Sequence, residues 1–279
     1  MKTSEVINIG SKLLRDGNIN THRLDSEIIL SHILKVNRER LLINENIISN
    51  LDINRFNKMI SRRLKNEPIA YIINKKEFRS KNIFVSKNSL IPRPETELLI
   101  DPILKLFKNK SLFFLDVGIG TGCISHSILN ELKHSIGIGI DICNKAINIA
   151  KINLKNPHIT NRIKLKCLPI DQIFNKKFDL IISNPPYVIK REINRLSEDI
   201  KRYEPRIALD GGKDGLDVIK KVIYKSRSIL KKKGMLALEI GNGQYRKVAE
   251  ILRLNNFRDK FLIKDYQDNV RCIISILEN

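Results

Sequence analysis

From residue 112 onward, short apolar runs alternate with stretches of helical period, and few folds accept that rhythm. The runs Leu112 to Val117, Ile136 to Ile140, Ile163 to Leu168, Phe178 to Ser183 and Met235 to Ile240 read as strands. Helical patterns such as Leu216 to Leu230 separate them. A parallel neighbour can be reached only through a crossover long enough to hold a helix, so this alternation builds a parallel sheet covered on both faces. Two late runs, near Phe261 to Ile263 and Val270 to Leu277, suit an antiparallel edge. The expected class is α/β.

The chain ahead of this sheet is different. Val6, Ile9 and Leu13, then Leu24 and Ile28, then Phe56, Met59, Ile60 and Leu64 recur at helical spacing and predict three or more short helices. Gly17 can end the first, Asp52 can cap the last, and Pro68 forbids its continuation. Residues 1–67 are therefore expected to form a small helical domain. Residues 68–110 read as a linker: strand-like Ile69 to Ile73 and Ile83 to Val85 suggest a hairpin, and Pro92-Arg93-Pro94-Glu95 opens a leading helix. Residues 111–279 carry the sheet.

Bulk properties exclude more than they identify. At 279 residues and 42% hydrophobic content the chain can bury more than one core. It holds no apolar run long enough to span a membrane, and Met1-Lys2-Thr3-Ser4-Glu5 does not open a signal region. Cys123, Cys143, Cys167 and Cys272 are widely spaced, which suggests neither a metal site nor a disulfide framework, and a reducing cytoplasm is expected. A formal charge of +21 invites a nucleic-acid partner. The lysines, however, are scattered among isoleucine and asparagine as an AT-rich genome would scatter them, so the charge is read as composition.

Strand Leu112 to Val117 runs straight into Gly118-Ile119-Gly120-Thr121-Gly122, and a helix with Ile124, Ile128 and Leu132 follows at once. Glycines at a strand-to-helix turn let bare backbone approach a ligand, beside the free amides of a helix start. The loop is one residue too short for a dinucleotide fingerprint. Asp116, two residues before the first glycine, can brace the turn or meet an ammonium group. Asp141 ends the next strand, 19 residues after Gly122, where an acid can accept both hydroxyls of a ribose. Together they point to a nucleoside.

Asn184-Pro185-Pro186-Tyr187 follows the strand Phe178 to Ser183 at its carboxyl end, the edge at which open α/β sheets bind ligands. Two prolines remove backbone donors and leave carbonyls, so the segment is rich in acceptors. The Asn184 side-chain oxygen and the Pro185 carbonyl can take the two N–H bonds of a planar NH2 group, and Tyr187 offers a flat face. Pulling on both hydrogens places charge on a nitrogen whose lone pair is otherwise delocalised, easing attack on an adjacent sulfonium methyl. No metal is needed.

These residues, together with Glu67-Pro68-Ile69-Ala70-Tyr71, Leu90-Ile91-Pro92-Arg93-Pro94-Glu95-Thr96-Glu97, Tyr203-Glu204-Pro205-Arg206 and Gly211-Gly212-Lys213-Asp214-Gly215-Leu216, resemble the bacterial peptide chain release factor N5-glutamine methyltransferases, the HemK family, over nearly the whole chain. The resemblance implies a class I (Rossmann-like) methyltransferase sheet behind a helical docking domain. It further implies that S-adenosyl-L-methionine methylates the glutamine of the Gly-Gly-Gln motif of class I release factors, leaving S-adenosyl-L-homocysteine. Gly118, Ile119, Gly120, Thr121 and Gly122 would hold the methionine part, Asp141 the ribose, and Asn184 the reacting end. Asn184 and Pro185 would be catalytic, with Pro186 and Tyr187 completing the amide pocket. Such an enzyme would be a cytoplasmic monomer needing neither membrane nor nucleic acid.

Asn-Pro-Pro-Tyr alone is shared with adenine-N6 and guanine-N2 methyltransferases, so a nucleic-acid amino methyltransferase stands as the alternative. Three departures from the family pattern are visible: asparagine at 66 and 74 where glycine is usual, Ile119 inside the loop, and Leu168-Pro169 where an acid and an aromatic are expected near the adenine. The resemblance assigns no role to Arg93, Glu95 or Glu204.

Overall fold

Helical periodicity in the first 65 residues resolves into α1 (Thr3–Asp16), α2 (His22–Leu34), α3 (Arg38–Ile43) and α4 (Asn50–Arg63) in the structure, a computed structural model that describes residues 1–278. Gly17 ends α1, its amide reaching the Leu13 carbonyl at 3.1 Å. The buried face of α1 is Val6, Ile7 and Leu14, while Ile9 and Leu13, expected inside, are 46% and 44% exposed. Gly10 explains the rotation: a Cβ there would lie 2.4 Å from the Phe56 ring and 2.7 Å from Ser26 Oγ, so the helices meet along a glycine–serine seam. The cap of α4 also differs from expectation. Ser49, not Asp52, is the cap: its Oγ accepts the Asp52 amide at 3.1 Å and donates to the Asp52 carboxylate at 2.7 Å.

Residues expected as a strand at 69–73 form one helical turn, α5 (Ile69–Ile72), because Pro68 starts a helix well and its carbonyl accepts from Tyr71 and Ile72 at 2.9 and 3.1 Å. The hairpin exists, but it pairs β1 (Lys75–Phe78) with β2 (Lys81–Phe84). Its two-residue turn has Arg79 at φ +47° and Ser80 at φ +56°, both left-handed, as such turns demand. Asn66 and Asn74 are left-handed too, at φ +64° and +53°, so each meets the backbone requirement that glycine would. Asn74→Ala is expected to cost roughly 1 kcal/mol of stability, with Asn74→Gly near neutral. Equal urea midpoints for the alanine variant and the parent would refute the strain argument.

Two short helices, α6 (Pro94–Glu97) and α7 (Ile100–Leu106), lead into the sheet, with Pro94 in the first turn of α6. Its elements are β3 (Phe113–Val117), α8 (Cys123–Glu131), β4 (Ile136–Asp141), α9 (Asn144–Asn153), α10 (Pro157–Thr160), β5 (Ile163–Cys167) and β6 (Phe178–Ser183). After these come α11 (Glu198–Tyr203), α12 (Asp217–Ile229), β7 (Leu230–Glu239), α13 (Tyr245–Leu254), β8 (Phe257–Lys264) and β9 (Val270–Leu277). The strand order is β5-β4-β3-β6-β7-β9-β8, parallel except for β9, which pairs antiparallel with both neighbours. Leu115, Ile138, Phe178, Ile181, Leu236 and Leu238 of the strands pack with Ile219, Val222 and Ile223 of α12 as the core.

The chain builds outward from β3 through β4 to β5, then returns to the other side of β3 with β6. Loops leaving β3 and β6 therefore diverge, opening the crevice at which such sheets bind ligands. Val117 pairs with Ser183, so Gly118 and Asn184 leave adjacent strands side by side. Met1–Lys75 with Ser197–Tyr203 form one compact unit, in which the Tyr203 hydroxyl donates to the Lys65 carbonyl at 2.9 Å. Lys76–Leu196 with the residues from Glu204 onward form the other. No helix among the described residues is long and apolar enough to cross a membrane.

Candidate active site

The glycine loop is pinned from beneath and open above. Gly118, Gly120 and Gly122 stand at φ +72°, +53° and +78°. The Ile140 carbonyl accepts the amides of Gly118 and Ile119, each at 2.9 Å, and the Gly120 amide donates to Asp141 Oδ2 at 3.0 Å. A Cβ on Gly118 would meet nothing within 4 Å, so the backbone there faces free space. Gly122 works differently, because a Cβ on it would lie 3.1 Å from Leu154, the residue that closes α9. Ile119 turns inward: its Cδ1 would be 2.2 Å from a Cβ on Gly139, so the isoleucine fills the notch that β4 leaves. Gly118, Ile119, Gly120 and Thr121 line a cavity of about 600 Å³, the size of a small-molecule site.

Asp141 lines the same cavity, with Oδ2 on Gly120 and Oδ1 accepting the Cys143 amide at 2.9 Å. Burial raises its pKa against those backbone donors. A carboxylate has about four lone-pair positions, so its cavity side keeps accepting capacity for a ribose hydroxyl beyond the backbone amides it holds. Asp116 does not reach the cavity. It is 1% exposed, accepts the Ser125 hydroxyl at 2.6 Å, and so ties the end of β3 to α8.

Burial pushes the Asp116 carboxyl up to about 7. A carboxyl pKa that folding raises gives stability present at low pH and lost as pH climbs through the folded value. Stability is thus expected to fall between about pH 4 and 7, and Asp116→Asn to remove that share of the fall. Urea titrations at several pH values would show it; parallel profiles for both proteins would count against it.

At the neighbouring strand end, Asn184 and Pro186 line the cavity, Pro185 is buried and Tyr187 is half-buried away from the wall. Behind them lies a buried polar chain. Asn184 Nδ2 donates to Thr96 Oγ1 at 3.0 Å, Thr96 donates to Glu239 Oε2 at 2.6 Å, and the Tyr187 hydroxyl donates to Glu239 Oε1 at 3.1 Å. Arg271 Nη2 donates to the Tyr187 hydroxyl at 3.1 Å, and Gln244 Nε2 donates to the Tyr187 carbonyl at 3.1 Å. Tyr187 is therefore held at both ends. Burial drives its phenol upward and the Glu239 carboxylate beside it adds to the shift.

The second glycine motif is a mould for this segment. Val188 donates to the Leu209 carbonyl and Gly211 donates back to Val188, both at 2.9 Å. A Cβ on Gly211 would sit 2.8 Å from Tyr187 Cα, and one on Gly215 2.5 Å from the Tyr187 carbonyl oxygen, so only glycine fits. Glu204, 6% exposed, takes the Arg93 guanidinium at 2.5 Å and the Ile91 amide at 3.3 Å. It thereby fixes the Ile91–Arg93 stretch that enters α6. Arg93 also lines the cavity, as do Leu168, Pro169 and Ile170, whose apolar wall stands where the acid and aromatic of the family pattern are missing.

Sequence reading missed Glu239, Gln244 and Arg271, and it carried Thr96 only inside a motif. The available signal was an acid ending the apolar run Met235 to Leu238 and an arginine in the mostly apolar β9. Among the described residues, no group of three or more His, Cys, Asp or Glu could hold a metal ion.

A parallel sheet with one reversed strand beside its edge, a glycine loop pinned to an acid, and an acceptor-rich segment at the adjacent strand end define a methyltransferase. Residues 93–201 match the methyltransferase small domain and residues 5–73 the PrmC N-terminal domain. A methyltransferase from Pyrococcus furiosus shares the fold, at TM-score 0.54 and 18% identity over 78% of this chain and 98% of that one. The chain is 34% identical, over 99% of both lengths, to the release factor glutamine methyltransferase of Clostridium acetobutylicum. It is 36% identical over 96% of its length to a bifunctional methyltransferase of Rickettsia typhi, of which it spans 56%. The chain belongs to the release factor glutamine methyltransferase family.

Proposed function

We propose that this chain transfers the methyl group of S-adenosyl-L-methionine to the side-chain N5 of the glutamine in the Gly-Gly-Gln motif of class I peptide chain release factors. The observation that carries the reading is the Asn184 amide. Its Nδ2 is spent on Thr96, its Oδ1 has no protein partner among the described residues, and it lines the cavity beside the glycine loop.

The open backbone at Gly118 and Gly120 and the remaining accepting capacity of Asp141 fit a nucleoside carrying an amino-acid tail. When bound there, the cofactor supplies an electrophilic methyl carbon on a sulfonium. Asn184 Oδ1 and the Pro185 carbonyl each accept one N–H of the substrate amide, holding it planar with its nitrogen toward that carbon. The two acceptors would stabilise the positive charge that develops on the amide nitrogen as it takes the methyl group, and the N–H proton then given up would pass to solvent. Pro186 bounds the pocket, and Tyr187, bonded behind it to Glu239, Arg271 and Gln244, holds the segment that carries Asn184 and Pro186 in place. S-adenosyl-L-homocysteine is released.

Residues 1–67 are assigned to docking of the release factor. Ile9 and Leu13, one helical turn apart on α1, present an exposed apolar strip for it.

Methyl transfer from labelled S-adenosylmethionine is the test, with purified release factor, its Gly-Gly-Gln glutamine-to-alanine variant and ribosomal RNA as competing acceptors. Label on the intact factor alone is the expected result. Label on RNA would favour a nucleic-acid amino methyltransferase.

A further inference from the structure

We propose that Thr96 and Glu239 are positioning residues that set which end of the Asn184 amide faces the cavity. The inference rests on the amide-transfer reading above. An asparagine side chain has two ends of nearly equal shape, one accepting and one donating. Only the accepting end helps an incoming NH2 group; turned over, the same residue would set donor against donor. The chain therefore needs a device that selects one orientation.

Thr96 alone cannot select, because a hydroxyl donates or accepts. Glu239 decides for it. Burial raises the pKa of its 0% exposed carboxyl, opposed by the Thr96 hydroxyl and by Arg271. Both its oxygens accept hydroxyl donors, Oε2 from Thr96 at 2.6 Å and Oε1 from Tyr187 at 3.1 Å, so as a carboxylate it takes the single Thr96 proton. The lone pairs left on Thr96 can be met only by the Nδ2–H of Asn184, at 3.0 Å, which sends Oδ1 toward the cavity. The other side of Glu239 is ordered in the same sense. Tyr187 donates to Oε1 at 3.1 Å, and Arg271 donates to Tyr187 at 3.1 Å while its own Nη2 stays 4.0 Å from Oε1. With Glu239 as a carboxylate, one proton arrangement satisfies the whole chain: Arg271 to Tyr187 to Glu239, and Asn184 to Thr96 to Glu239.

The location supports a purpose beyond packing. Glu239 ends β7, a strand in the middle of the sheet, one step beyond the pairing of Leu238 with Ser183. Its backbone is fixed relative to Asn184 by that register. Burying a carboxylate costs far more than burying leucine, and well-packed apolar residues can replace buried ion pairs without loss of stability. Stability alone does not explain an acid here.

The experiment uses Thr96→Val, which swaps hydroxyl for methyl at nearly constant shape, and Thr96→Ser, which restores the hydroxyl. S-adenosylhomocysteine affinity and the thermal midpoint report folding; kcat and KM for the release factor report chemistry. Thr96→Val is expected to lower kcat by roughly 30- to 100-fold with KM and inhibitor affinity little changed, and Thr96→Ser to recover to within about threefold. The double variant Thr96→Val/Asn184→Ala should be no slower than Asn184→Ala, because the first residue acts only through the second. Should Thr96→Val fail to fold, Thr96→Ala takes its place in the same comparisons.

Unchanged kcat in Thr96→Val, a serine variant as slow as the valine, or fully additive losses in the double variant would each overturn the inference. A wild-type chain that methylates no amide would overturn the underlying reading and this inference with it. An active wild type indifferent to position 96 overturns the inference alone.

Discussion

Asn184→Ala is expected to lower kcat by two or more orders of magnitude while S-adenosylhomocysteine binds as it does to the parent. A preorganised polar group aimed at developing charge is worth about 10² to 10³ in rate. Here the group is held in advance by the bond from Nδ2 to Thr96, so no reorganisation is needed at the moment of reaction. Truncation removes the acceptor and leaves the glycine loop and Asp141 untouched, since neither bonds to Asn184. Single-turnover methylation of a release factor, with calorimetric titration of the inhibitor, separates the two effects. A variant within about threefold of the parent rate would sink the acceptor role.

Asp141→Ala should weaken S-adenosylhomocysteine by roughly 10²- to 10⁴-fold, since two hydrogen bonds to a charged acceptor contribute about 1.5–3 kcal/mol each. Asp141 also holds the Gly120 and Cys143 amides, so its loss could act by loosening the loop instead of by losing the ribose. An inhibitor analogue lacking both ribose hydroxyls distinguishes these causes. It should bind the parent far more weakly than the intact inhibitor does, and bind Asp141→Ala no more weakly than the intact inhibitor does. A full penalty for the analogue in both proteins would show that the hydroxyls are read elsewhere.

The pattern of apolar runs was enough to place β3 to β7 within a few residues, and β6 at Phe178–Ser183 as expected. β3, β4, β6 and the second half of β7 are buried almost throughout, and continuous burial writes itself as a continuous apolar run. Edge strand β5, by contrast, is mostly exposed and alternates lysine with apolar residues. The failures lie where local preference was the only guide. Ile69 to Ile73 is rich in β-branched residues, yet Pro68 and the left-handed Asn74 close it as a single turn. The inward face of α1 was misjudged because Gly10 and Ser26, rather than the bulkiest side chains, set the closest approach.

The candidate site divides along the same line. Glycine positions, the acid at the end of β4 and the prolines after β6 were legible, because each answers to a backbone constraint or a spacing that a linear chain records. Arg93 and Glu204 are 111 residues apart, Thr96 and Glu239 143, and Asn184 and Thr96 88. No periodicity links positions so distant. Which strand lies beside which, and in what register, is settled by the crossover order of the sheet, and only that order brings Glu239 behind Thr96 and Asn184. The sequence alone determined the class of fold and the glycine-loop backbone that lines the cavity. Tertiary packing decided the proton arrangement behind the amide, because hydrogen-bond direction depends on neighbours that the chain does not carry in order.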